Sequence, residues 1–105
     1  MSSLPEGPSP VVVAAVLGTE PAAVARTLTA VRRQVYGPDR VVVAGRGDGV
    51  RALADQAAID VVASARDVVA GLSRPETHVW FLRAGAEPRP GALRALVTEA
   101  ARVGA

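Results

Sequence analysis

The chain has 105 residues, half of them hydrophobic, and its 12 basic and 10 acidic residues leave a formal net charge of +2. That length supports one small domain with a real core but not two, and no cluster of basic residues interleaved with aromatics points to a nucleic-acid partner. The absence of cysteine excludes a disulfide frame, a thiol nucleophile and a thiolate metal site, while no apolar run reaches the ~18 residues that would cross a bilayer.

Residues Met1–Pro10 carry three prolines and three serines with a glycine, the composition of a flexible leader. This segment lacks the charged and apolar regions of a secretory signal, so the expected location is cytoplasmic, either free or as the cytoplasmic end of a larger membrane protein. The domain proper is expected from residue 11 to residue 105. Val11–Leu17 is a continuous apolar run closed by Gly18, which predicts a strand buried on both faces. Pro21 suits a first helical turn. Val24, Leu28, Val31 and Val35 then recur at i, i+4, i+7 and i+11, giving one apolar helical stripe that Tyr36-Gly37-Pro38 brings to an end.

Arg40–Ala44 predicts the second strand, and a glycine-rich turn follows over Gly45–Gly49. Asp48 is placed to cap a helix whose Val50, Leu53, Ala54 and Ala57 share a face. Ile59–Ala63 predicts a short third strand. Ser64 and Asp67 have the spacing of a capping box for a helix running to about residue 72. His78–Leu82 predicts a fourth strand, with Trp80 and Phe81 pointing to opposite helical layers. Pro90 opens a last helix with Leu93, Leu96, Val97, Ala100 and Val103 inward and Gly104 at its end. Only Tyr36, Trp80 and Phe81 are aromatic, so the core must be built from Val, Ala and Leu. Strands alternating with helices through short loops predict an α/β fold with a parallel sheet of about four strands. The expected strand order is 3-2-1-4, with helices on both faces, in three layers of the half-Rossmann kind. The ligand crevice of such a sheet lies where successive connections diverge, here between strands 1 and 4.

The segment Trp80–Leu93, WFLRAGAEPRPGAL, resembles a motif of family 2 glycosyltransferases of the GT-A fold that reads roughly W-x-L-D-A-D-A-x-P-x-P-G-A-L. Val11–Gly18, Glu20–Val35 and Pro38–Gly49 are similar to that family's first strand, first helix and second strand with its turn. The likeness extends over about Val11 to Val103. It implies a GT-A-like nucleotide-binding half and a larger parent protein whose acceptor-binding half, with the catalytic base, is not in this chain. In the family the two aspartates of the motif hold a divalent cation that grips the diphosphate of a nucleotide-sugar, and hard cations demand anionic oxygen. Arg83 and Gly85 stand at those two positions, and Gly45 replaces the aspartate that contacts the nucleoside. The resemblance therefore implies a degenerate site with no metal, no cofactor and no catalytic residue, inactive in isolation.

Several residues remain candidates for weak binding of a nucleotide or nucleotide-sugar. Thr19 and Glu20 rim the expected crevice on one side, and Arg83 and Gly85 on the other. Gly45, Arg46, Gly47 and Asp48 stand beside it, in a turn whose amides could favour phosphate. Arg83 could pair directly with a diphosphate in place of the metal, or form an ion pair with Glu20 or Glu87. Three glycines are also what a tight turn needs, and the embedded Arg46-Gly47-Asp48 tripeptide carries no adhesion meaning without secretion. His78 has no partner for catalysis and reads as structural. A phosphoacceptor receiver domain is excluded, since the acidic residues and lysine it requires are missing. Two functions follow: an inactive segment of a glycosyltransferase-like protein, or a non-catalytic interaction or scaffolding module. The bare edge of strand 4 adds an expectation of self-association or of cover by the chain's own termini or the remainder of a parent protein.

Overall fold

A computed structural model describes residues 11–72 and 77–104, with side chains placed as far as Glu99. The leader over residues 1–10 lies outside the described residues. Elements alternate through the chain as β1 (Val11–Leu17), α1 (Pro21–Arg32), β2 (Arg40–Ala44), α2 (Asp48–Gln56), β3 (Asp60–Val62), α3 (Ala65–Ala70), β4 (Thr77–Arg83) and α4 (Ala92–Gly104). The four strands form one parallel sheet in the order β3-β2-β1-β4.

Register divides the side chains cleanly between two layers. Ala14 faces Val41 on one side and Trp80 on the other, and Val16 faces Val43 and Leu82. These residues pack with Val24, Leu28 and Val31 of α1 and Val50 of α2 into the larger core cluster. The alternate set, Val13, Ala15, Val42 and Ala44, packs against Val68 of α3 on the opposite face. Helices thus cover both faces. β1 is central, and Val12 to Val16 are all buried, which explains why its sequence runs apolar without alternation.

Several local expectations are corrected. The apolar stripe of α1 stops at Val31, because the helix ends at Arg32 and Val35 is 69% exposed. Asp48 is not an N-cap but the first residue of α2, whose cap is Gly47 at φ 127°. Only glycine adopts that backbone without strain. Ser64 does cap α3, yet its hydroxyl donates to Asp67 Oδ2 at 3.2 Å rather than bonding a helix amide. Pro90 precedes α4 by two residues, its carbonyl being used to accept from Val35 N–H at 2.8 Å. Leu93 is buried as expected, but Leu96 is half exposed; Ala100 and Val103 lie beyond the described side chains. Trp80 is partly buried against the α1 and α2 layer, whereas Phe81 is 44% exposed. α3 has only six residues and packs mainly over β1, β2 and β3; on that face Val79 of β4 still packs against the core, whereas Phe81 does not join it.

Three polar residues join neighbouring strands at their margins. Asp39 accepts the Val12 N–H on Oδ2 at 2.8 Å, and its own N–H donates to the Val12 carbonyl at 2.9 Å. It thereby pairs the part of β1 that extends beyond β2. Arg40 and Asp60 form an exposed ion pair at 2.7 Å across β2 and β3, a contact of the kind that contributes about 0.2–1 kcal/mol.

Candidate functional site

The three loops that leave the C-terminal ends of β1, β2 and β4 meet at one end of the sheet. Hydrogen bonding continues past the strands into these loops: Gly18 N–H donates to the Ala44 carbonyl at 3.1 Å, Ala84 N–H to Leu17 at 2.7 Å and Gly45 N–H to Val62 at 2.9 Å. The loops also touch. A β-carbon added at Gly18 would collide with the Ala84 side chain, and one at Gly45 would run into the Gly18 carbonyl. At Gly49 it would come within 2.7 Å of Pro21 Cγ. Close backbone approach is therefore the physical reason for glycine at these positions.

This packing determines what the candidate residues present. Thr19 and Glu20 are exposed at the start of α1, and Glu20 caps that helix by accepting the Ala23 N–H on Oε2 at 2.9 Å. Gly45 has its N–H committed inside the sheet, while Arg46, Gly47 and Asp48 are exposed at the start of α2. Arg83 ends β4 in register with Leu17, exposed, and among the described residues it forms no ion pair with Glu20 or Glu87. Gly85 adopts φ 100°, and its N–H donates both to the Ala23 carbonyl at 3.0 Å and to Thr27 Oγ1 at 2.8 Å. The topology thus gathers the ends of β1, β2 and β4, but it turns the amides of Gly45 and Gly85 inward. Arg83 and Arg46 are the cations left facing solvent there.

A divalent cation of the sort implied by the resemblance does not fit these residues. Arg83 brings positive charge where an anionic oxygen is needed, and Gly85 brings no ligand. Among the described residues no group of three acidic or imidazole side chains could hold a metal ion.

Two residues unremarked in the sequence hold the segment that follows β4. Thr27 is fully buried; its hydroxyl donates to the Ala86 carbonyl at 2.7 Å while accepting from Gly85. Gln34, 8% exposed, donates from Nε2 to the carbonyls of Ala30 at 3.2 Å and Arg89 at 2.8 Å, and accepts the Leu93 N–H at 3.0 Å. Together they tie the segment after β4 along the flank of α1. A polar residue interrupting the apolar face of an otherwise amphipathic helix was the available signal: Thr27 lies beside Leu28 and Val24 on that face.

Comparison with models of known families, with curated proteins and with solved structures finds no match to the chain. No described helix is long and apolar enough to cross a membrane.

Proposed function

We propose that the chain is the N-terminal segment of a family 2 glycosyltransferase-like protein, a nucleotide-binding half whose nucleotide-sugar site has degenerated and which is inactive alone. The observation that supports this most is the placing of Arg83. It stands at the C-terminal end of β4, directly beside the end of β1 in a 3-2-1-4 parallel sheet, where an α/β fold collects its ligands. The resembled motif carries an aspartate there, and this chain carries a cation. A nucleotide or nucleotide-sugar would be held weakly, by Arg83 with Arg46 and the exposed start of α2, without metal. The test is release of nucleoside diphosphate from nucleotide-sugars by the purified chain with and without manganese. No release is expected; metal-dependent release would overturn the reading. An NMR titration with UDP at low salt should move resonances of residues 18–20, 45–49 and 83–87, and Arg83→Ala should abolish the effect. The coding sequence beyond Ala105 supplies a further check, since an acceptor half or membrane helices following it would support this assignment.

A second reading, a non-catalytic interaction or scaffolding module, draws on a different observation. Phe81 is exposed on β4, beside the half-buried Val79 of the same face, and no described strand pairs with that strand's outer edge. An apolar edge of this kind favours addition of another strand, from a second copy or from the remainder of a parent protein.

A further inference from the structure

A concavity of about 350 Å³ lies on the flank of α1, between that helix and the segment that follows β4. Its helical wall is formed by Arg26, Ala30 and Arg33, at i, i+4 and i+7, the spacing that puts residues on one helix face. Its other wall is Glu87 to Pro90, where Arg89 is a third arginine and two prolines restrict the backbone. Arg83 does not line it. The concavity adjoins the loop after β4, where Arg26 Nη2 lies near Gly85, but it extends away from the strand ends along α1.

The walls are held without any ligand. Thr27 fixes the segment at Gly85 and Ala86, and Gln34 fixes it again at Arg89 and at the start of α4. Both anchors are buried; Ala30 and Arg33 lie between them in the chain, and Arg26 immediately precedes Thr27. Preformed walls reduce the ordering cost of binding. The charges, in contrast, are unbalanced: three guanidinium groups and one carboxylate leave +2 around one hollow. Among the described residues none of Arg26, Arg33, Glu87 or Arg89 forms an ion pair or side-chain hydrogen bond with another side chain. Three like charges lining one hollow with a single carboxylate leave a positive surplus, which a multiply charged anion relieves.

We infer that this hollow is a binding site for a phosphate monoester of a small molecule. A phosphate dianion matches the surplus of two charges, and its three terminal oxygens can accept from forks approaching along different directions, as a single carboxylate cannot. Ala30, Pro88 and Pro90 offer apolar surface to the body of the ester, and Glu87 can accept from a hydroxyl or amine on it. The volume lies at the lower end of the range for small-molecule pockets.

The test is an NMR titration of the whole chain at low salt with inorganic phosphate and, separately, with phenyl phosphate. Both should shift residues 26–33 and 87–90, phenyl phosphate more strongly because its ring meets the proline wall. Arg33→Ala and Arg89→Ala should each weaken binding about tenfold or more, and Glu87→Gln should strengthen binding of inorganic phosphate by removing a like charge. Each variant sits on the surface, and an unchanged far-UV spectrum verifies its fold. Arg83→Ala should leave these shifts intact, so failure here and failure of the nucleotide reading are separate results. Absence of shifts at tens of millimolar phosphate, or shifts that persist in both Arg33→Ala and Arg89→Ala, would overturn the assignment. Equal shifts with sodium chloride of matched ionic strength would do the same.

Discussion

The Thr27 hydroxyl accepts the Gly85 N–H at 2.8 Å across 58 residues of sequence, so the side chain of a helix in the first third of the chain sets the path taken after β4. The same oxygen donates to the Ala86 carbonyl at 2.7 Å, and Thr27 has no solvent exposure. Thr27→Val keeps the shape and removes both bonds. Gly85 N–H retains the Ala23 carbonyl as a partner, so the expected loss is about 1–2 kcal/mol. Urea denaturation should show a lower midpoint with an unchanged slope. A Thr27→Val protein as stable as the parent would mean that the clamp contributes nothing.

That clamp also marks the limit of what the sequence disclosed. The order of elements and the 3-2-1-4 sheet were legible because apolar runs, helical stripes and glycine or proline breaks recur on schedule from Val11 to Leu93, and parallel crossovers leave few topologies. The same pattern put Arg83 on the rim between strands 1 and 4, although the strand itself was read as ending at Leu82 and runs to Arg83. The roles of Thr27 and Gln34 were not legible: Thr27 interrupts the apolar face of α1, but the loop partners of both residues stand 55 to 59 residues away and no local pattern names them. The hollow beside Arg26, Arg33 and Arg89 went unforeseen for that reason. The face of Phe81 was legible from alternation, but its exposure was not, because alternation cannot reveal how far a six-residue α3 extends across the sheet.

The end of α2 contains a correctable strain. Ala57 caps the helix, and Ala58 follows in the left-handed region at φ 56°. Ile59 N–H donates to the Ala54 carbonyl at 2.9 Å and Ala58 N–H to Asp55 at 3.2 Å, the paired bonds of a Schellman ending. Glycine usually holds that position, since a left-handed residue with a β-carbon costs about 1–2 kcal/mol. Ala58→Gly should stabilise the domain by about 1 kcal/mol after the added freedom of the unfolded chain is offset. For a domain of this size that corresponds to about 4–8 °C in Tm. An unchanged or lowered Tm by calorimetry would contradict the strain.

Restoring the two aspartates of the resembled motif should not restore a metal site. Arg83→Asp changes an exposed strand end and should be tolerated within about 0.5 kcal/mol. Gly85→Asp places a side chain at φ 100°, a backbone that L residues rarely adopt, and should cost about 1–3 kcal/mol. The double variant is therefore expected to be less stable and to show no tight manganese binding by calorimetry. Micromolar binding in the double variant, with stability intact, would mean that the loop after β4 readily adopts the geometry of a working motif.

The outer edge of β4, unpaired among the described strands, leads to the last expectation, which concerns association. β4 has seven residues, Thr77–Arg83, without lysine or proline to discourage pairing, and it borders the sheet. Two copies joined edge to edge by a twofold axis would each add β4 to the other's sheet, and the same patch would serve both partners. Phe81 is 44% exposed on β4, so it would be buried beside the new seam. A fully buried Phe contributes about 1.5–3 kcal/mol relative to an exposed one. Phe81→Asp should therefore raise the dimer dissociation constant about tenfold or more, and two like charges near the axis add to the effect. Sedimentation equilibrium across a hundredfold range of concentration, roughly two factors of ten in the binding equation, measures it. Backbone amides of β4 should gain protection from exchange as the concentration rises. A parent chain that stays monomeric throughout, with rapid exchange along β4, would show that this edge recruits no second copy.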